Sequence, residues 1–298
     1  MNLTKKSSLF PSKTINLIHL TLIIAALKNI IIWRYFEVFN ENYFRAPLFD
    51  FLLDIPSYLG KTSLLLPLLL SPLLFLNNRL TALPYIFAAI SSILAISIDF
   101  YGYHHDVAFS SIIFLLVAYS YLLKDKSICF GAILGTAASI YLLTGISKIS
   151  PFFIHGDVVL EILSSKPFIG GSIFHPRLDI LLKPIGSQLA YLTIFVELIL
   201  SPVLVVLISK RFYMLRSILL IFHFLLFYTG RGTVFNILFP SILLLQIEYL
   251  SKYYSGLGYK NSRFSNFILS IATKICYFLI TIYFIFLLYY SLKQNVFF

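Results

Sequence analysis

The sequence predicts an all-helical integral membrane protein: one polytopic bundle of about nine transmembrane helices, with the N-terminus cytoplasmic and the C-terminus extracytoplasmic. Three observations predict it. Of 298 residues, 59% are apolar and 12% charged, with a mean hydropathy of +0.90, more apolar surface than a soluble core of this size can hide. Apolar stretches near the ~20 residues that cross a bilayer recur along the chain. Lysine and arginine concentrate on one side of the resulting topology.

The stretches fall at residues 15–33, 58–76, 80–98, 107–123, 127–147, 187–209, 212–229, 233–250 and 267–291. The first follows Lys5, Lys6 and Lys13, and no small-residue cleavage site follows Trp33, so it is expected to remain as a signal anchor. Asn77, Asn78 and Arg79 alone separate the second from the third, and Pro67, Pro72 and Pro84 interrupt them as kinks that neighbouring helices must satisfy. The fourth and seventh are short. No internal repeat and no long linker divides the chain, so residues 1–298 read as one domain, with residues 148–186 as an extracytoplasmic segment within it.

With the N-terminus inside, the inner segments carry thirteen Lys and Arg against Asp125 and Glu248, while the outer segments carry nine basic and nine acidic residues. Lys28 and Glu197 lie inside helices and cancel, which completes the net charge of +11. The basic excess therefore reflects topology and anionic lipid at the inner leaflet. No nucleic-acid module accompanies it, so the bilayer, not nucleic acid, is the expected partner. Cys129 and Cys276 fall near inner helix ends, where thiols stay reduced, and no disulfide is expected.

Polar chemistry collects on the outer side. Asp99, His104, His105 and Asp106 read as a turn between the third and fourth helices, and Lys148, His155, Asp157, Glu161 and His175 lie in the segment 148–186. Imidazole and carboxylate together suit zinc or iron, but no spacing such as His-Glu-x-x-His supplies a third ligand, so no metal is assigned. Acid–base work and plain interfacial structure remain the competing readings of that cluster.

Lys148 is the most informative residue. An amine at the edge of a bilayer either snorkels to the headgroups or loses its proton and becomes a base. Its surroundings favour the second: Gly145 permits close approach of a helix or ligand, Pro151 ends the helix, and Phe152, Phe153 and His155 follow. Glu197 and His223 are ionisable groups inside apolar helices and must find partners in the bundle interior. A mutual hydrogen bond would satisfy them structurally; a role in proton handling is the alternative. Lys28 beside Asn29 poses the same question and is not read as catalytic.

The order Thr144-Gly145-Ile146-Ser147-Lys148-Ile149, then Phe153 and Gly156, Val196-Glu197-Leu198, Phe222-His223 and Phe235, with His105 upstream, resembles the HTTM superfamily, the membrane domain of vitamin K-dependent gamma-carboxylases. The resemblance covers roughly residues 15–250. It implies a nine-helix fold with an extracytoplasmic active site. It also implies that Lys148 is the base on a reduced vitamin K-like hydroquinone, with dioxygen and carbon dioxide as co-substrates. His105 would assist, and His104, Asp106, Glu197, His223 and His155 would support or handle protons. Gly145, Phe152 and Phe153 would line the substrate pocket. This chain has Ser147-Lys148 where the family has adjacent lysines, Phe153 where it has tryptophan, and reaches Phe298 just past the ninth stretch, where the family enzyme continues into a large domain that presents its protein substrate.

Three expectations from different classes follow. The first is a carboxylase-like, quinone-linked enzyme acting on an extracytoplasmic peptide, alone or with a separate extracytoplasmic protein. The second is a non-enzymatic maturation or export partner of a secreted peptide or toxin. The third is a transporter or scaffold, which requires paired charges along a path near the bilayer midplane.

Overall fold

The computed structural model describes residues 12–38, 57–76, 78–98, 100–123, 127–164, 182–206, 213–226 and 234–256, and positions 267, 270–271, 273–278, 280–282 and 284–285. Every element among them is helical. The described parts of the apolar stretches are helical apart from a turn at Leu70 and the end residue Leu123. Among the described residues two helices, Cys129–Ser147 and Lys183–Val206, are long and apolar enough to cross a membrane.

The order is α1 (Ser12–Val38), α2 (Ser57–Leu69), α3 (Ala82–Ile98), α4 (Phe100–Leu122), α5 (Ser127–Ser147), α6 (Pro151–Ile154) and α7 (Asp157–Ser164). It continues through α8 (Gly186–Phe195), a π-turn (Val196–Leu200), α9 (Ser201–Val206), α10 (Tyr213–Leu226) and α11 (Val234–Gly256). Helix α1 packs on α2, α3 and α11, α3 on α4, and α4 on α5; α5 packs on the π-turn and α9, and α10 on α11. One apolar cluster joins them, from Leu17, Ile18 and Leu22 of α1 through Phe114 and Val117 to Tyr141, Leu204, Leu219 and Phe239.

Proline punctuates the second stretch. Pro67 lies inside α2, which gives way to a 3-10 helix, Ser71–Leu76, that begins next to Pro72. Asn78 then caps a second 3-10 turn: its side chain accepts from the Leu80 amide at 2.8 Å, and the Thr81 hydroxyl takes the Asn78 amide at 3.2 Å while donating to the Leu73 carbonyl at 3.1 Å. Thus Asn78 and Thr81 form a capped joint at the start of the third stretch.

Two sequence readings are corrected. The segment expected to be a turn at residues 98–106 is helical from Phe100, so His104, His105 and Asp106 lie in the first two turns of α4; their side chains, and Asp99, lie outside the described residues. A twenty-three-residue apolar helix gains more from extending its ladder in a low-dielectric setting than from a turn that leaves amides unpaired. Arg216, counted among the inner-loop charges, is instead fully buried in α10. Its Nε donates to Gln246 Oε1 at 3.1 Å, and Gln246 Nε2 donates to the Val205 carbonyl at 2.6 Å, near the C-terminal, negative end of α9. The cation is therefore held against a helix end that favours positive charge.

Candidate functional site

The site grows from the seam between α5 and the π-turn. Tyr141, Gly145 and Lys148 stand at i, i+4 and i+7 and so share one face of α5. A Cβ added at Gly145 would lie 2.7 Å from the Leu198 amide nitrogen and 2.8 Å from its Cα, so only glycine lets the two backbones approach this closely. Leu198 is the neighbour of Glu197. Close packing at Gly145 thus carries the carboxylate to the α5 face where the amine stands.

Local chemistry explains the π-turn. Pro202 has no amide hydrogen for the Leu198 carbonyl, and its ring crowds that carbonyl, so the regular ladder cannot pass this point. The chain widens by one residue instead: the Ser201 amide and its hydroxyl both donate to the Val196 carbonyl, the hydroxyl at 2.6 Å. That wider turn contains Glu197.

At the other end of the seam α5 stops at Ser147. The Lys148 amide bonds the Gly145 carbonyl at 3.2 Å, and the Thr144 hydroxyl closes on the Ile140 and Tyr141 carbonyls at 2.9 and 3.0 Å. Ser150 then caps α6, accepting from the Phe153 amide at 3.3 Å, with Pro151 at the first helical position. Gly156, with φ at 88°, turns the chain into α7 against Gly186, whose carbonyl a Cβ at Gly156 would overlap. These joints hold the short α6–α7 segment on α8.

Lys148 Nζ and Glu197 Oε2 form an ion pair and hydrogen bond, with the lysine side chain 25% exposed and the glutamate 8% exposed. The Phe153 ring is buried, with its centroid 5.8 Å from the amine, close enough for a cation–π contribution. Phe152, one residue earlier, is 78% exposed. Two turns inside, the Tyr141 hydroxyl is hydrogen-bonded to His223 Nε2 on α10. The His223 ring stacks on Phe239 of α11 at 5.4 Å and 20°, and Tyr141 meets the same ring edge-on at 4.5 Å. Four ionisable groups from three helical segments therefore form two hydrogen-bonded pairs, at the end of α5 and about two turns inside it.

The sequence leaves open a mutual Glu197–His223 hydrogen bond as one of two readings, and the pairings described are different. Glu197 takes Lys148 and His223 takes Tyr141, because Gly145 brings the π-turn to the end of α5 while His223 meets α5 nearer its middle. Of the sequence-assigned residues, Lys148, Glu197, Gly145 and Phe153 come together, and His223 joins through Tyr141. The exposed His155 ring enters neither pair; its carbonyl accepts from the Ser187 hydroxyl at 3.0 Å. His105, His104 and Asp106 are placed by backbone alone, and His175 lies outside the described residues. Tyr141 is the residue that sequence reasoning missed, and its helical register with Gly145 and Lys148 was the available signal.

Comparison with protein families, with characterised proteins and with solved structures finds no match to this chain.

Proposed function

We propose that this chain is an HTTM-type polytopic membrane enzyme of nine spans, N-terminus cytoplasmic, in which Lys148 is a general base toward a reduced quinone on the extracytoplasmic side. The observation that carries the reading is the Lys148–Glu197 pair, an amine and a carboxylate joined where two long apolar helices meet. Charged residues in such helices are expensive and characteristically serve a function.

The residues fit a flat, lipid-soluble aromatic alcohol. The amine is partly open, the Phe153 ring stands beside it, and exposed Ile149 and Phe152 continue the apolar surface. A reduced quinone, when bound, supplies an acidic hydroxyl and, with dioxygen, the oxidising chemistry that carboxylation of a peptide with carbon dioxide would require. Lys148 removes the hydroxyl proton at Nζ. Glu197 stabilises the ammonium so formed and holds the amine in one orientation, as a buried carboxylate does for a catalytic imidazolium. Phe153 and the helix seam limit water at the amine, which strengthens that interaction.

The test is oxygen-dependent oxidation of a reduced naphthoquinone by the purified protein in lipid. Wild type is expected to turn over and Lys148→Ala to lose turnover entirely. A folded wild-type protein inert toward several quinones would transfer the reading to a maturation or export partner of a secreted peptide. The exposure of Phe152 on the α6–α7 segment is the observation that favours that second reading.

A further inference from the structure

The two helices long and apolar enough to span a bilayer meet the α6–α7 segment at neighbouring ends: α6 follows shortly after the last residue of the first, and the segment packs on α8, in the opening turns of the second. The segment therefore lies at the level where both helices leave the membrane. We propose that α6–α7 is an interfacial element lying along the bilayer surface, with Phe152 inserted among the lipid chains of the leaflet on the Lys148 side and the Asp157 and Glu161 carboxylates in water. The proposal goes beyond the chemistry assigned to Lys148 and rests only on the reading of the chain as membrane-spanning.

Local geometry holds the segment down. Ser150 and Pro151 start α6 as soon as α5 has ended, so the ladder of α5 is not continued outward. The inward face is Phe153, Gly156 and Leu160. Phe153 is buried beside the Lys148 amine, Gly156 packs on the Gly186 backbone, and a Cβ on Gly186 would lie 3.1 Å from Leu160 Cδ1. The Ser187 hydroxyl closes the contact on the His155 carbonyl at 3.0 Å. With that face committed to α8 and to the amine, Phe152 is left exposed on the other.

The exposure of Phe152 by itself would serve a peptide or a bilayer equally; the order of exposed residues along the chain assigns it to the bilayer. Through Leu142, Leu143, Ile146, Ile149 and Phe152 the large exposed side chains are all apolar. The exposed Ser147 hydroxyl among them bonds the Thr144 carbonyl at 2.8 Å, which satisfies it without water. Past Phe152 the exposed residues become His155, Asp157 and Glu161. Apolar gives way to polar once, between Phe152 and His155, and a bilayer imposes such a boundary on a chain that leaves it, with aromatic side chains at the crossing. A docking patch for a peptide would be bounded on both sides, whereas this surface runs into the exposed face of a membrane-length helix. Helix α7, with Asp157 and Glu161 one turn apart on the exposed side and Leu160 against Gly186, divides its faces as an interfacial helix does. Phe152 at that depth places the Lys148 amine, held beside Phe153 of the same turn, at the level of the lipid headgroups.

The chain has one tryptophan, Trp33, so Trp33→Phe gives a silent background in which Phe152→Trp and Glu161→Trp report from the two sides of the boundary. The full chain is placed in phosphatidylcholine nanodiscs and quenched either by phosphatidylcholine brominated on its chains or by iodide in the water. Phe152→Trp is expected to emit at shorter wavelength, to be quenched by the brominated lipid and to be protected from iodide; Glu161→Trp is expected to reverse all three. Cysteine variants at the same positions give a second reading that does not depend on accommodating an indole, since Cys129 and Cys276 are buried. Phe152→Cys is expected to react with a membrane-impermeant maleimide about tenfold more slowly than Glu161→Cys, because the reactive thiolate is disfavoured in apolar surroundings. If iodide quenches Phe152→Trp as fully as Glu161→Trp, or the two cysteines react at the same rate, the segment stands in water and the proposal is overturned, with Phe152 then open to a peptide partner. Neither readout involves quinol turnover, so a chain inert toward quinols leaves the result standing, and an overturned segment leaves Lys148 as a base.

Discussion

The α1–α4 side of the bundle and the α5–π-turn seam both bury polar groups, but they do so by different means. On the first side, where Lys28 is also buried, the pairings whose geometry is described are between neutral hydrogen-bonding partners: His19 Nδ1 lies 2.7 Å from the Tyr85 hydroxyl, and Asn29 Nδ2 donates to the Ser91 and Ser92 hydroxyls at 3.3 and 3.1 Å. Their helices stay regular. At the seam an amine pairs with a carboxylate and a phenol with an imidazole, and the backbone departs from regularity beside the first pair, with a glycine contact, a π-turn and a capped break at Ser150. Neutral pairs satisfy buried groups at little cost, whereas an ion pair in apolar surroundings is costly to assemble and does not by itself stabilise a fold. The proposed function rests on that difference.

Substitutions can break or sharpen this contrast. The largest effect is expected from Lys148→Ala, which should abolish quinol oxidation and also lower the thermal transition, because the buried Glu197 carboxylate loses its counter-charge. Oxidation and scanning calorimetry on the same reconstituted sample check both halves. Gly145→Ala should come next: the new methyl group collides with the Leu198 backbone, so stability is expected to fall by about 1–3 kcal/mol and Lys148 to become more reactive as its partner is pushed away.

Tyr85→Phe and Tyr141→Phe form a matched pair across the two regions. Each strips a buried histidine of its hydroxyl partner and should lower stability by about 1–3 kcal/mol. Only Tyr141→Phe should also slow quinol oxidation; an equal loss in Tyr85→Phe would erase the distinction between the regions. The smallest effect is expected from Asn29→Ala, near 0.6 kcal/mol by the average for helix–helix hydrogen bonds in membranes, with turnover unchanged.

The helices were legible because composition and the lengths of apolar runs are local properties of the chain. So were the individual site residues, since a lysine after Gly145 and a glutamate and a histidine within apolar runs are conspicuous. Their partnerships were not. Lys148 and Glu197 are 49 residues apart and Tyr141 and His223 are 82, and pairing at that separation depends on which helices adjoin. Tyr141 was hidden among many aromatics in a chain with 20 tyrosines. The start of α4 was misread because Gly102 and the run of His104, His105 and Asp106 resemble a polar turn, although a helix in apolar surroundings keeps its ladder through such residues. The π-turn left one trace, the Ser201-Pro202 step after Glu197, which removes a ladder hydrogen bond at the point where the turn widens.

The central claim is that the seam couples Lys148 to Glu197, and a double-mutant cycle tests it most directly. Unfolding free energies of wild type, Lys148→Met, Glu197→Gln and the double variant, measured in the same lipid, give the interaction between the two side chains. The account predicts a coupling of about 0.5–3 kcal/mol, with the double variant more stable than the sum of the single losses implies. Additive losses with no coupling would contradict the pairing and, with it, the site.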